Sequence, residues 1–166
     1  FRIPNSEFRI RVQTPPEKHV MSNQEHYRRL ERMYLSAPFN ELYKPRITIG
    51  EGVAEVVFAV GPHLHHAAQA VHGANYFKAM DDAAYFAVNS LVDDVFVLTV
   101  NFNIHLLRRI SEGEMRATGK VVNARRNLWV DDAVLEDDRG RLLGRGSGSF
   151  MRRKINLQDV SSYSKG

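Results

Sequence analysis

Two adjacent carboxylates, Asp81 and Asp82, lie inside AVHGANYFKAMDDAAYFAVNSL, residues 70–91, a stretch whose apolar residues recur at helical spacing. On a helix, residues three and four apart share a face, which sets Asp81 among Phe77, Ala84, Tyr85 and Val88. Asp82 follows Lys78 by four residues and reads as half of a surface ion pair. Asp81 has no such partner in the pattern. An unpartnered buried carboxylate costs several kcal/mol, so it needs hydrogen-bond donors, trapped water or a function. Satisfaction by backbone or Arg donors at a subunit interface is one outcome, and use as a general base or nucleophile is the other.

The start of the same helix adds a second chemical group. Gly73 permits a tight turn, and the free N–H groups of the first helical turn, backed by the helix dipole, suit a developing oxyanion. Gly73 and Asp81 are eight residues apart, or about 12 Å along the axis at 1.5 Å per residue. A carbonyl resting on Gly73 would have to lie along the helix to meet a water near Asp81.

Other motifs are weaker. The chain has no Cys, which removes thiolate nucleophiles, disulfides and cysteine-ligated zinc, so catalysis must use oxygen or imidazole groups. His63, His65, His66 and His72 fit no standard metal spacing, and we expect neither metal nor cofactor. GRGSGS at 144–149 lacks the later Gly of a phosphate loop and the helix that should follow it; its glycines fit strand curvature or close backbone approach. No G-x-S-x-G elbow is present. Trp129, Phe96, Phe102 and Phe150 read as sheet core.

The elements that must position Asp81 follow from periodicity. With 166 residues, 43% of them apolar and 25% charged, the chain suits one soluble domain with no membrane span. Its first residues lack a signal-peptide pattern, which points to the cytoplasm. The net charge of +4 suits a phosphate-bearing ligand better than nucleic acid. Ser22 and Glu25 form a capping-box signature before a short amphipathic helix predicted over 23–35, whose Arg28, Arg29, Glu31 and Arg32 face solvent. A strand is predicted at 52–60, then the loop GPHLHHAAQAVHG and the long helix. Strands at 95–107, 114–124, 128–136 and 141–151 follow as a meander, and a polar tail ends the chain. The economical fold is α+β, with a curved antiparallel β-sheet wrapped around a long central α-helix and an extra N-terminal helix. We divide the chain into an N-terminal extension at 1–45, a core domain at 46–151 and a tail at 152–166.

VHGANYFKAMDD, together with this element order, resembles the hotdog-fold acyl-CoA thioesterases, in particular their phenylacetyl-CoA thioesterase-like branch. That family opens its central helix with His-Gly-Gly and carries an acidic residue nine positions after the His. Here His72 and Gly73 match, Ala74 replaces the second Gly, and Asp81 stands at the ninth position. LTVNFNIHLLRRISEGEMRATGKVV extends the resemblance, which covers about 46–151. It implies that Thr99 stands where some members use a Ser from the other subunit to hold the attacking water, and that His66 replaces an Asn six residues before the His.

The resemblance further implies hydrolysis of an acyl-CoA or acyl-carrier-protein thioester, with Gly73 polarising the carbonyl and Asp81 as base or nucleophile. It implies a homodimer or dimer of dimers with interface active sites. Arg108, Arg109, Arg125, Arg126, Arg152, Arg153 and Lys154 fall at predicted strand ends, where solvation is the default reading and a contact with coenzyme A phosphate the other. A binding module on the same fold that holds thioesters without cleaving them is the alternative. A dehydratase ranks last, because the pre-helix loop lacks its Asp and His arrangement.

Overall fold

The computed structural model describes residues 23–165, so Ser22 of the expected capping box lies outside the described residues. Helix α1 spans Asn23–Leu35, as expected, and buries Tyr27, Leu30, Met33 and Tyr34 on one face. Its other face is less free than the charge pattern suggests. Glu31 accepts the Ile49 N–H at 3.0 Å, and Arg32 donates to the carbonyls of Ser162 and Tyr163.

Strands β1 (Arg46–Gly50), β2 (Val53–Ala59), β3 (Val95–Leu106), β4 (Glu114–Ala124), β5 (Leu128–Asp137) and β6 (Leu142–Asn156) form one antiparallel sheet in the order β1-β2-β4-β5-β6-β3. Helix α2, Gly73–Asn89, packs its Ala79, Ala83, Ala84 and Ala87 into the core. The expected helix with a sheet around it is therefore present.

Two expectations need correction. The periodicity gave one strand before α2, whereas β1 precedes it as the first arm of a hairpin. Gly52, at φ +66°, makes the turn there, and the expected strand at 52–60 begins at that turn residue and leaves RITIG of β1 unassigned. The four later strands are not a simple meander either. β4, β5 and β6 pair in sequence, but β3 pairs with β6, and β4 pairs with β2. Residues 107–113 are thus a crossover past the start of α2 rather than a hairpin turn, and they spend their backbone groups there. Val71 N–H donates to the Ile110 carbonyl, and Val60 N–H to that of Gly113.

The helix sits very close to the sheet. A Cβ at Gly119 would come within 2.4 Å of the Ala83 and Ala84 backbone. In β6, Cβ atoms at Gly146 and Gly148 would enter the Phe102 ring, so these glycines serve close packing, one of the two roles expected for GRGSGS. One inward residue of β5 is a carboxylate. Asp131 is 0% exposed; its Oδ1 accepts the Lys120 N–H at 3.1 Å, and its Oδ2 has no partner.

The segment read as a polar tail from residue 152 continues β6 to Asn156 and then docks, with Leu157 and Tyr163 fully buried. The sequence hides this because its apolar residues, Leu157, Val160 and Tyr163, stand singly among polar ones. His26 of α1 ties the assembly together. Its Nε2–H donates to the Asn89 carbonyl (2.9 Å), which leaves Nδ1 to accept from the Tyr163 hydroxyl (2.7 Å). Among the described residues no helix is long and apolar enough to cross a membrane.

Candidate active site

Asp81 lies two turns into α2 with its carboxylate toward β3, where the Thr99 hydroxyl donates to Oδ1 at 3.0 Å. Both residues are half-buried. Burial pushes the Asp81 carboxyl up to about 6, and the neighbouring Asp82 charge adds to this; the Thr99 hydrogen bond and the Lys78 charge pull the other way. A carboxylate tuned to that range is a stronger base than an exposed one and is still ionised at neutral pH. This bond lies within one chain.

Asp82 does pair with Lys78, at 2.5 Å, but not on the surface. Lys78 is 8% exposed, and its ammonium lies over the rings of Tyr43, Phe39 and Tyr34 at 4.8, 5.1 and 5.3 Å. Tyr34 donates its hydroxyl to Asp82 at 2.7 Å. The N-terminal extension therefore roofs this pair, and its arrival could not be read from the helix alone. Burial holds the Asp82 carboxyl above its usual range, against the pull of Lys78 and Tyr34.

At the start of α2, His72 is the N-cap, with extended backbone and a ring Nδ1 that accepts the Ala74 N–H at 3.1 Å. This gives His72 a structural task, that of shaping the helix start. The His72 and Asn75 N–H groups are bonded to Leu64 O and His72 O, and the Gly73 N–H takes part in none of these bonds. Gly73 lines a cavity of about 410 Å³ together with His66, Val71, Tyr76, Leu106, Arg108 and Arg109. His66 Nδ1 accepts the Ala68 N–H at 3.0 Å, which shapes the loop wall.

The five residues singled out in the sequence thus fall into two groups within one chain. Asp81 and Thr99 form the first, and Gly73, His66 and His72 form the second. Phe77 stands between them on the same helix, 40% exposed, with its ring edge against Phe102. The first group can take a proton, the second can receive an oxyanion, and the strip between them is apolar. Tyr76 is the residue the pattern gave no reason to select: its hydroxyl donates to the Arg108 carbonyl at 3.0 Å and accepts the Ile110 N–H at 3.1 Å. Only the crossover, invisible in the sequence, gives that hydroxyl its partners.

Comparison with known proteins agrees with this architecture. Residues 68–143, from the pre-helix loop through the first residues of β6, match the Thioesterase superfamily model. Among solved structures, the chain is similar to the Escherichia coli PaaI protein from the phenylacetic acid degradation operon, with TM-score 0.74, 20% identity and coverage of 81% of this chain and 97% of that one. A conserved protein of Pseudomonas aeruginosa, PA5202, aligns with TM-score 0.69 and 27% identity over 74% of this chain and 98% of that one. A Haemophilus influenzae thioesterase, HI1161, aligns with TM-score 0.68 and 18% identity over 76% and 88%. No curated protein matches the chain.

Proposed function

We propose that this chain, which has the hotdog fold and matches the Thioesterase superfamily over residues 68–143, is a thioester hydrolase that cleaves an acyl-CoA or acyl-carrier-protein thioester with Asp81 as its central group. The observation that carries the reading is Asp81 itself: a carboxyl raised to about 6 by burial, oriented by Thr99, on the helix whose first N–H groups suit an oxyanion. In this scheme the Gly73 N–H donates to the thioester carbonyl oxygen as charge builds on it. Asp81 takes a proton from a water whose oxygen attacks the carbonyl carbon. The carbon–sulfur bond then breaks, and the thiolate leaves with the proton returned by Asp81. Direct attack by Asp81 to give a mixed anhydride, later hydrolysed, is the other route.

The separation of the two groups is resolved in this reading by a second copy of the chain. β3 is twelve residues long, lies at the sheet edge, and exposes Leu98, Val100 and Leu106. An uncovered edge of that kind invites strand pairing. Two-fold pairing of β3 with its counterpart would continue the sheet and run the two α2 helices antiparallel, so the Gly73 of one copy would approach the Asp81 of the other. Phe77 and Phe102 would then wall the acyl group.

The deciding experiment follows thiol release from a panel of acyl-CoAs, with thermal-shift binding measured in parallel. Turnover of at least one acyl-CoA is expected, and binding without release at every chain length would instead make the chain a thioester-holding module. Thr99→Ala supplies a finer check. Losing the hydroxyl removes a donor that favours the ionised carboxylate, so kcat should fall by about tenfold and the acidic limb of the pH–rate profile should move upward. A limb that stays in place would take Thr99 out of the site.

A further inference from the structure

Of the N–H groups that open α2, the chain satisfies two itself. The Ala74 N–H goes to the His72 ring and the Asn75 N–H to the His72 carbonyl, which leaves the Gly73 N–H at the cavity for a ligand. A donor of this kind is effective only when its direction is fixed before the charge develops. The Gly73 N–H shares a rigid peptide plane with the His72 carbonyl, so whatever holds that carbonyl aims the donor. The group that holds it, at 2.9 Å, is the backbone N–H of Asn75.

The side chain of Asn75 fixes the same peptide from its other end. Its Nδ2 donates to the Leu64 carbonyl at 3.0 Å, and that carbonyl also accepts the His72 N–H at 2.8 Å. Leu64 and Asn75 are both buried. Asn75 is held in turn by the N-terminal extension, where the Tyr43 hydroxyl donates to its Oδ1 at 2.8 Å. The polarity of this relay follows from its last member. A carbonyl can only accept, so Asn75 presents its NH2 to Leu64 and its oxygen to Tyr43. The Tyr43 ring is clamped as well, with the Lys78 ammonium 4.8 Å from its centroid and the Phe58 ring meeting it at 5.2 Å, edge to face. Hydrogen bonds linked in series in a buried setting strengthen one another. Tyr43 lies outside residues 68–143, the part of the chain that matches the family model.

We propose that Tyr43 and Asn75 are positioning residues that aim the Gly73 N–H, and that the N-terminal extension thereby takes part in catalysis rather than only covering the core. Neither side chain touches the substrate: Asn75 acts on the His72–Gly73 peptide, and Tyr43 acts through Asn75. The proposal rests on the thioesterase reading for what the donor does, and not for what holds it.

The test follows thiol release from an acyl-CoA, well below the melting temperature of every variant. Tyr43→Phe keeps the ring and its contacts and removes only the hydroxyl, so kcat should fall by about fivefold, the worth of one neutral hydrogen bond. KM should stay within about twofold, because the lost interaction strengthens only in the transition state. Asn75→Leu should lower kcat by about tenfold or more. The double variant should be no slower than Asn75→Leu by more than about twofold, since both changes break one relay. The acidic limb of the pH–rate profile, which belongs to Asp81, should not move in any of them. An unchanged kcat in Tyr43→Phe, a rise in KM alone, losses that multiply in the double variant, or a displaced acidic limb would overturn the proposal. Where Asn75→Leu does not fold, Tyr43→Phe decides by itself. Where the wild type cleaves no acyl-CoA, the hydrolase reading fails separately, and amide hydrogen exchange decides the relay. The His72 N–H should then exchange about tenfold faster in Tyr43→Phe with the Ala133 N–H of β5 unchanged, and equal rates at His72 in both proteins would sink it.

Discussion

Asp81→Asn should reduce kcat by about two to four orders of magnitude, the range that loss of a positioned general base produces, while the protein melts no lower than the wild type. The two halves of that result come from one physical fact. The folded chain holds the Asp81 carboxyl at about 6 against its ordinary 3.8, chiefly through burial. As pH rises between those values the unfolded chain gives up this proton before the folded one does, so the wild type loses stability across that interval. At about 1.4 kcal/mol per pH unit, the loss is at most about 3 kcal/mol and is complete above pH 6. Asn carries no such charge, and its side-chain oxygen still accepts from Thr99. The variant should therefore match the wild type in melting temperature near pH 4 and exceed it near pH 7. Wild-type kcat/KM should rise through about pH 6 as the carboxyl ionises. Undiminished turnover in the Asn variant would remove Asp81 from the mechanism, and a large fall in its melting temperature would make Asp81 a structural residue.

The Lys78 partner of Asp82 was legible because helical spacing is local, though the burial of that pair was not, and α1 was legible because its apolar spacing is local. Thr99 was reached only through the resemblance, since nothing in a strand's alternation says which helix residue its hydroxyl will meet. What stayed hidden was non-local. The roof over Lys78 is built by Tyr34, Phe39 and Tyr43 from a segment more than thirty residues away in the chain. The strand order was misread because a seven-residue link of turn-like composition, 107–113, looks the same in sequence whether it reverses or crosses over; what differs is the partner of its backbone, Val71 and Tyr76. Asp131 was invisible for the same reason. In LWVDDAVLE one of two aspartates must point inward if the strand alternates, and the cost of that choice appears only when the fold buries it.

That cost leads to the second large effect. Asp131→Asn should stabilise the protein strongly at pH 9 and hardly at all at pH 4. Burial, the largest influence, and the neighbouring Asp132 push the Asp131 carboxyl up to about 8, and the hydrogen bond from the Lys120 N–H opposes them. The folded state therefore keeps a proton that the unfolded state has lost, and the penalty grows from the ordinary value of 3.8 up to about 8. Its ceiling is several kcal/mol, since each pH unit is worth about 1.4 kcal/mol. Asn stays neutral and keeps an oxygen for the Lys120 N–H, so the variant escapes the penalty without losing the bond. Denaturant unfolding at a series of pH values measures the difference directly. A gain independent of pH would mean that packing, not charge, had changed. The two aspartates can also be told apart in one data set. The advantage of Asp81→Asn should level off above about pH 6, whereas that of Asp131→Asn should go on growing to about pH 8. The slope between those values thus belongs to Asp131, and it should survive unchanged when Asp81 is already Asn. Asp131 lies across Gly148 from Phe102, the ring that meets Phe77 between the two halves of the candidate site. Ionising the core at high pH would for that reason loosen the acyl wall before it unfolds the chain, so wild-type activity should fall above pH 8 and the Asp131→Asn variant should retain it.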